Sequence, residues 1–267
     1  MKTYKNNKLK NFPVVNYPNL IESTDRKEFM EQQLEKYGLT GNAYATERYE
    51  TFQNNIEIMS AIPLPNSNQH GVTISFLNMM KEWYEQADEQ YGLFCDDDVS
   101  FESVDYWNFT WQDVLDNLPD DWQCVQLIRL NEWNDHGLML GNNHVMPDLK
   151  LKRAGYYDWG TSFICKRSYV KKVLDRHIRG PNTYDFSIKI RDTHDQFLPF
   201  TVEHALLAEI CDQVYNFPIL LENQEFNSTI ELDLKFRSSH MKSHKFYSGL
   251  WKLFGPELSI EYLMNRT

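Results

Sequence analysis

Cysteine is scarce in this 267-residue chain: Cys95, Cys124, Cys165 and Cys211 are all there is. They stand far apart with no CxxC spacing, and each sits in or beside an apolar run such as Leu93-Phe94-Cys95 or Phe163-Ile164-Cys165. They therefore read as reduced thiols buried on strands rather than as a disulfide framework. Long hydrophobic runs are also missing. No stretch approaches the ~20 consecutive apolar residues that a membrane span needs, and Met1 to Asn11 is polar and basic with no apolar core. The expectation is a soluble, cytoplasmic protein with no membrane span. Positive charge is in deficit, with 27 Lys and Arg against 38 Asp and Glu for a formal charge of -11. That balance argues against a nucleic-acid partner, because neutralising a duplex backbone takes a concentration of basic residues found here only in short patches. Aromatic residues are plentiful. With 42% hydrophobic positions, 16 Phe, 15 Tyr and 7 Trp, the chain can bury a sizeable core, which excludes a disordered protein. The length fits one large α/β domain or a domain with a subdomain.

Strand and helix patterns alternate along the chain. Phe12 to Ile21 reads as a first strand interrupted by Pro13 and Pro18, so the backbone is expected to leave the sheet soon after Val15, with Asn16, Tyr17 and Asn19 at the strand's C-terminal edge. Ser23 or Thr24 can cap a following helix with an apolar face of Phe29, Met30, Leu34 and Tyr37 and a stop at Gly38. Gly71 to Asp88 carries Val72, Phe76, Met79, Met80, Trp83 and Ala87 at helical spacing. Tyr91 to Cys95, Cys124 to Leu130 and Thr161 to Cys165 read as buried strands; Trp107 to Leu118, Tyr169 to Ile178 and Val202 to Cys211 read as helices. Asn66 to His70, Asn131 to Asn143 and Gly180 to Pro199 read as loops, and Phe246 to Phe254 as a peripheral helix. This alternation favours a mostly parallel sheet covered by helices on both faces.

The sharpest chemical feature is Cys95-Asp96-Asp97-Asp98-Val99, three adjacent carboxylates directly after a buried strand. That is the C-terminal edge at which open α/β sheets bind ligands. Mutual repulsion among the three would be relieved by a hard divalent cation, Mg²⁺ or Mn²⁺, held by one or two carboxylates and completed by water and a substrate diphosphate. A solvated acidic turn is the plain alternative. An EF-hand is excluded because no Gly stands at the sixth loop position.

Around this cluster the sequence resembles glycosyltransferase family 25, the lipopolysaccharide-type and collagen-type galactosyltransferases, whose acidic motif is usually Glu-Asp-Asp. Further segments resemble the family in the same order: Ser23-Thr24-Asp25-Arg26-Lys27, Leu118-Pro119-Asp120-Asp121-Trp122 before Val125-Gln126-Leu127, Trp159-Gly160-Thr161, Tyr169 to Leu174, Val202-Glu203-His204-Ala205-Leu206-Leu207 and Val214 to Pro218. The likeness runs from about Val14 to Thr229. The Trp107-Asn108-Phe109-Thr110-Trp111 insertion is most similar to members carried by aquatic viruses and phages, which would make the compartment a host cytoplasm. The chain departs from the family pattern where Asp96 replaces Glu, where Ser75-Phe76 replaces a Ser-His pair, and where Val14-Val15-Asn16-Tyr17-Pro18 stands for a more usual Ile-Asn-Leu.

The resemblance implies a GT-A type, Rossmann-like domain over residues 12–235 with a C-terminal helical tail over 236–267 packed on it. The implied activity is metal-dependent, inverting transfer of galactose or glucose from a UDP-sugar donor to a hydroxyl of a glycan or glycoconjugate. Asp96 and Asp98 would hold Mn²⁺ or Mg²⁺, and Asp97 would meet the donor ribose or the metal through water. Asn16, Tyr17, Asn19, Arg26 and Lys27 would line the nucleotide side, with an exposed helical pair as the alternative for Arg26 and Lys27. His240, or else His244, would add a metal ligand, with a solvated His-Lys tail as the alternative. Glu203 is the first choice for the base and Asp158 the second, against readings as a first-turn helix charge and a turn residue. Trp159 would stack on a sugar face while Gly160 lets the backbone approach it. Two other classes stay open: a non-catalytic carbohydrate-binding protein, and a metal-dependent phosphoryl or nucleotidyl transferase, although no Gly-rich phosphate loop is present.

Overall fold

The computed structural model of the chain describes residues 7–60, 67–130, 149–154, 160–187, 201–207, 213–223, 226 and 234–265, with the side chains of residues 7, 67, 207 and 234–242 outside that set. Strand β1 (Val15–Leu20) leads into helix α1 (Thr24–Tyr37). The helix ends at Gly38, whose φ of 67° is left-handed and whose amide donates back to Leu34 and Glu35 carbonyls. Only a residue without a Cβ takes that conformation freely, so the glycine stops the helix. The chain continues through β2 (Gly41–Thr46), α2 (Tyr49–Phe52), β3 (Glu57–Ser60), α3 (Ser67–Gln86), β4 (Tyr91–Cys95), β5 (Val99–Ser100), α4 (Trp111–Asn117), β6 (Cys124–Gln126), β7 (Lys152–Arg153) and β8 (Ser162–Lys166). Then come α5 (Arg167–His177), β9 (Ile178–Gly180), β10 (Thr183–Phe186), α6 (Val202–Leu207), β11 (Val214–Asn216), β12 (Leu221–Glu222), α7 (Leu234–Phe254) and α8 (Ile260–Met264).

Seven strands form one sheet in the order β2-β1-β4-β8-β6-β11-β7. The sheet is mixed, which corrects the expectation of a mostly parallel one. Strand β1 runs parallel to β2 and β4, and β11 parallel to β6, but β8 runs antiparallel to both β4 and β6, and β7 antiparallel to β11. Buried strands of either direction carry the same apolar run, so periodicity does not reveal the reversal.

Alternation along the central strands divides the core in two, because successive side chains point to opposite faces. Leu93, Val125 and Ile164 pack with Met30, Leu34, Trp111 and Trp251 on one face. Phe94, Cys124, Phe163 and Cys165 pack with Phe76, Met80, Tyr169 and Ala205 on the other. Helices therefore cover both sides. Cys95, Cys124 and Cys165 are buried and form no disulfide among the described residues; Cys211 lies outside the described residues.

Several local expectations change: the helix read from Trp107 begins at Trp111, and the strand read from Cys124 to Leu130 covers Cys124–Gln126. Strand β1 does not leave the sheet after Val15: it parts from β4 after Asn16 but pairs with β2 through Leu20, so Pro18 is carried where β4 is no longer a partner. Residues 67–70, read as loop, form the first turn of α3. Where a loop was expected from Gly180, β9 ends and β10 follows, and the two form a hairpin that joins β3 in a second sheet. Asp185 latches that hairpin, accepting from Arg176 at 2.9 Å, from Arg179 Nη2 at 2.8 Å and from the Ser187 amide at 3.0 Å.

Candidate functional site

The reversal of β8 determines what the sheet edge carries. Strand β4 ends at this edge and antiparallel β8 begins there, so Gly160 and Thr161 lie beside the acidic run, and the Asp96 amide donates to the Thr161 carbonyl at 3.0 Å. On the other flank the β5–β12 pairing sets Glu222 opposite Val99, and the Asn223 amide donates to the Asp98 carbonyl at 2.6 Å. The acidic run is thus gripped by its backbone from both sides.

Its side chains have unequal surroundings. Asp97 and Asp98 are each 8% exposed. Arg26, in the first turn of α1, donates from Nη1 to Asp97 Oδ1 at 2.5 Å and to Asp98 Oδ2 at 3.0 Å. Asn19 Nδ2 donates to Asp97 Oδ2 at 2.9 Å. Among the described residues no cation pairs with Asp96, which keeps part of its surface exposed. Burial around its carboxyl, and then Asp98, Asp97, Glu203 and Glu222, push the Asp96 pKa well above the carboxylate range. Burial and Glu222 push Asp98 up to about 7 against the opposing pull of Arg26. Burial works against the charge on Arg26, but Asp98 and Asp97 outweigh it and hold the guanidinium above its ordinary value.

Glu203 and Gly160 come together as well. Glu203, in the first turn of α6, accepts from the Gly160 amide and the Thr161 hydroxyl, both at 3.2 Å and both on Oε1, and from the Thr201 hydroxyl on Oε2 at 2.7 Å. The Gly160 carbonyl accepts from Gln126 Nε2 at 2.7 Å, and Asn216 Nδ2 donates to Gln126 Oε1 at 2.9 Å. Gly160 has φ 125°, and a Cβ there would stand 2.8 Å from Ile128 Cγ2. Glycine is required at this position on both counts. Gly160 is therefore clamped, with its amide committed to Glu203 on the helix and its carbonyl to Gln126 on the strand.

The other expected residues disperse. Asn16 lies inside the sheet, donating to the Leu93 carbonyl at 3.0 Å and to the Val14 carbonyl at 3.1 Å. Tyr17 is 2% exposed, and burial followed by Glu31, Cys95 and Asp97 pushes its hydroxyl up to about 12. Lys27 points to solvent on α1, 3.9 Å from Glu31, while Arg26 points inward. Trp107, Trp111 and Trp122 are core residues. Asp158, Trp159 and the side chain of His240 lie outside the described residues. His244 stands on α7 with Nε2 3.6 Å from Glu102 Oε1.

Sequence reasoning missed Glu222, Gln126, Asn216, Thr161 and Thr201. Glu222 had a signal, since it ends the apolar run Ile219-Leu220-Leu221 as Asp96 ends Leu93-Phe94-Cys95. No protein-family model matches the chain, and no curated protein matches it.

For a divalent cation the donor set is chemically suitable, being oxygen only and strongly negative. Asp96 is the member with no ion pair among the described residues, and Asp98 and Glu222 share its field. Among the described residues no three His, Cys, Asp or Glu side chains converge as a cage. An ion at this edge would rest on one or two carboxylates and take its remaining ligands from water and substrate.

Proposed function

We propose that the chain is a metal-dependent, inverting glycosyltransferase of GT-A type, moving galactose or glucose from a UDP-sugar to a hydroxyl of a glycan or glycoconjugate. One observation carries the reading. The acidic run ending β4 and the carboxylate of Glu203 meet at one sheet edge, and a clamped glycine peptide links them to the neighbouring strand ends. This supplies an anionic locus for a metal and diphosphate beside an oriented carboxylate. The α/β framework with its large mixed sheet is compatible with that assignment.

Asp96 and Asp98 would hold Mn²⁺ or Mg²⁺, with Glu222 beside them. The ion, when bound, would stabilise the charge that develops on the leaving nucleoside diphosphate. The bond from the acceptor oxygen to the sugar carbon forms as the bond from that carbon to the phosphate oxygen breaks, and the acceptor proton must leave at the same time. Glu203 suits that task by geometry. Its Oε1 accepts two hydrogen bonds and its Oε2 one; with about two lone pairs on each oxygen, Oε2 keeps one for the proton. Asp97, held by Arg26 and Asn19, sets the orientation of the acidic run.

The test is UDP formation from UDP-glucose and UDP-galactose with Mn²⁺, in the wild type and in Glu203→Gln. The variant should bind donor normally and turn over ~10²–10⁴ more slowly. Wild-type turnover in the variant contradicts the base assignment, and release of phosphate or pyrophosphate instead of intact UDP contradicts the reaction class.

A further inference from the structure

We propose that Arg26 is an internal counter-ion that passes from Asp98 to the nucleoside diphosphate when a divalent cation binds, so that one side chain couples metal and nucleotide binding. This rests on the transferase reading of the same site. Arg26 shares the buried stripe of α1 with Met30, Leu34 and Tyr37, a stripe on which helical spacing calls for apolar residues. A guanidinium 8% exposed at such a position persists only with partners that offset its desolvation.

Those partners hold it unequally. The contact with Asp97 is the shorter, 2.5 Å against 3.0 Å for Asp98, and Asn19 steadies the far oxygen of Asp97. Asp97 is the anchor and Asp98 the exchangeable partner. Asp98 also stands in the field of Glu222 and Asp96, so a doubly charged ion displaces a singly charged group there with a gain in Coulomb energy. The Phe226 ring lies 5.3 Å from the guanidinium carbon and is itself braced edge-on by Phe29 at 5.3 Å. A flat aromatic face lets the guanidinium pivot about Asp97 without losing contact. Its first-turn position on α1 sends the released donors toward the end of the helix that favours anions, where a diphosphate accepts them.

Linkage fixes the signs. Without Arg26 the cation faces no competitor for Asp98 and should bind more tightly, while the help that the cation gives to nucleotide should shrink by the same factor. The probes are Mn²⁺ alone, UDP alone and both together, titrated calorimetrically into wild type and Arg26→Gln. The expected result is about tenfold tighter Mn²⁺ binding in the variant and about a tenfold smaller gain in UDP affinity on adding Mn²⁺, within the range usual for coupled sites. Unchanged or weaker Mn²⁺ binding in Arg26→Gln, with a wild type that binds Mn²⁺, overturns the exchange and leaves the transferase reading standing. A folded wild type that binds no Mn²⁺ overturns the reading itself. The double variant Arg26→Gln/Asp97→Asn removes one charge of each sign, keeps the net charge of the site and leaves only Asp98 without its ion-pair partner; it serves if the single variant does not fold, should show a smaller gain in Mn²⁺ affinity of the same sign, and a loss there also overturns the exchange.

Discussion

Replacing Asp98 with asparagine should stabilise the cation-free protein at neutral and alkaline pH, because the native carboxylate is held where burial and Glu222 oppose its charge. Its pKa is pushed up to about 7 from an ordinary 3.8, a separation of about three pH units at about 1.4 kcal/mol each. Above pH 7 the ionised side chain therefore destabilises the native state by about 4 kcal/mol. The sign follows from proton counting. A carboxyl with a raised native pKa binds more protons folded than unfolded across the window, so stability falls as pH rises from about 4 to about 7 and is flat beyond. Asparagine does not titrate and its Oδ1 still accepts from Arg26. Urea unfolding in EDTA should show Asp98→Asn more stable by about 2–4 kcal/mol at pH 8 and by less than about 1 kcal/mol at pH 4.5, with an unchanged m-value. At pH 8 that equals a Tm higher by several degrees, at about 2–4 °C per kcal/mol for a domain of this size. An asparagine variant that is less stable at pH 8, or whose advantage does not change with pH, would refute the reasoning. Site residues held at the expense of stability are common where function needs them.

Gly160→Ala should cost about 2–4 kcal/mol in unfolding free energy, since it combines φ 125° with a Cβ 2.8 Å from Ile128 Cγ2. It should also lower turnover of the proposed reaction by turning the amide away from Glu203, and an unperturbed Tm would contradict the clamp. The Asp185 pKa is held below the carboxylate range by Ser187, Arg179 and Arg176, which outweigh its burial. Its latch is therefore fully present above about pH 4 and lost as pH falls further. Asp185→Ala should destabilise by roughly 1–3 kcal/mol at pH 7, the arginines being partly exposed, and by less at pH 2.5, below the ordinary carboxylate pKa but above the depressed native one. Thr110→Ala should lose about 1 kcal/mol by removing the capping box with Asp113 at the start of α4; a urea midpoint within error of the wild type would count against it.

What was legible in the sequence was local. An apolar run broken by three acids marks a strand end, and the structure has Tyr91 to Cys95 as that strand; Gly38 ends the first helix as its residue type dictates. Arg26 and Lys27 looked alike as neighbouring charges, yet helical spacing sets 26 on the stripe of 30, 34 and 37 and 27 beside 31. That information was present and charge type obscured it. Strand β2 was missed because Gly41 to Ala45 is largely exposed and shows no apolar alternation. The company of Asp96 was not legible at all. Glu203 and Gly160 reach it only because β8 runs antiparallel, and Glu222 only through pairing of β12 with β5; strand direction and register leave no periodic trace in residues so distant along the chain.

The most direct measurement is a calorimetric titration of UDP into the folded wild type and Asp98→Ala, with and without Mn²⁺, set beside GDP and CMP. UDP binding that requires Mn²⁺ in the wild type and is lost in the variant is the predicted result. A folded wild type that ignores every nucleotide in the presence of Mn²⁺, or binds UDP equally without it, would contradict a metal-dependent transferase and direct attention to free glycans as ligands.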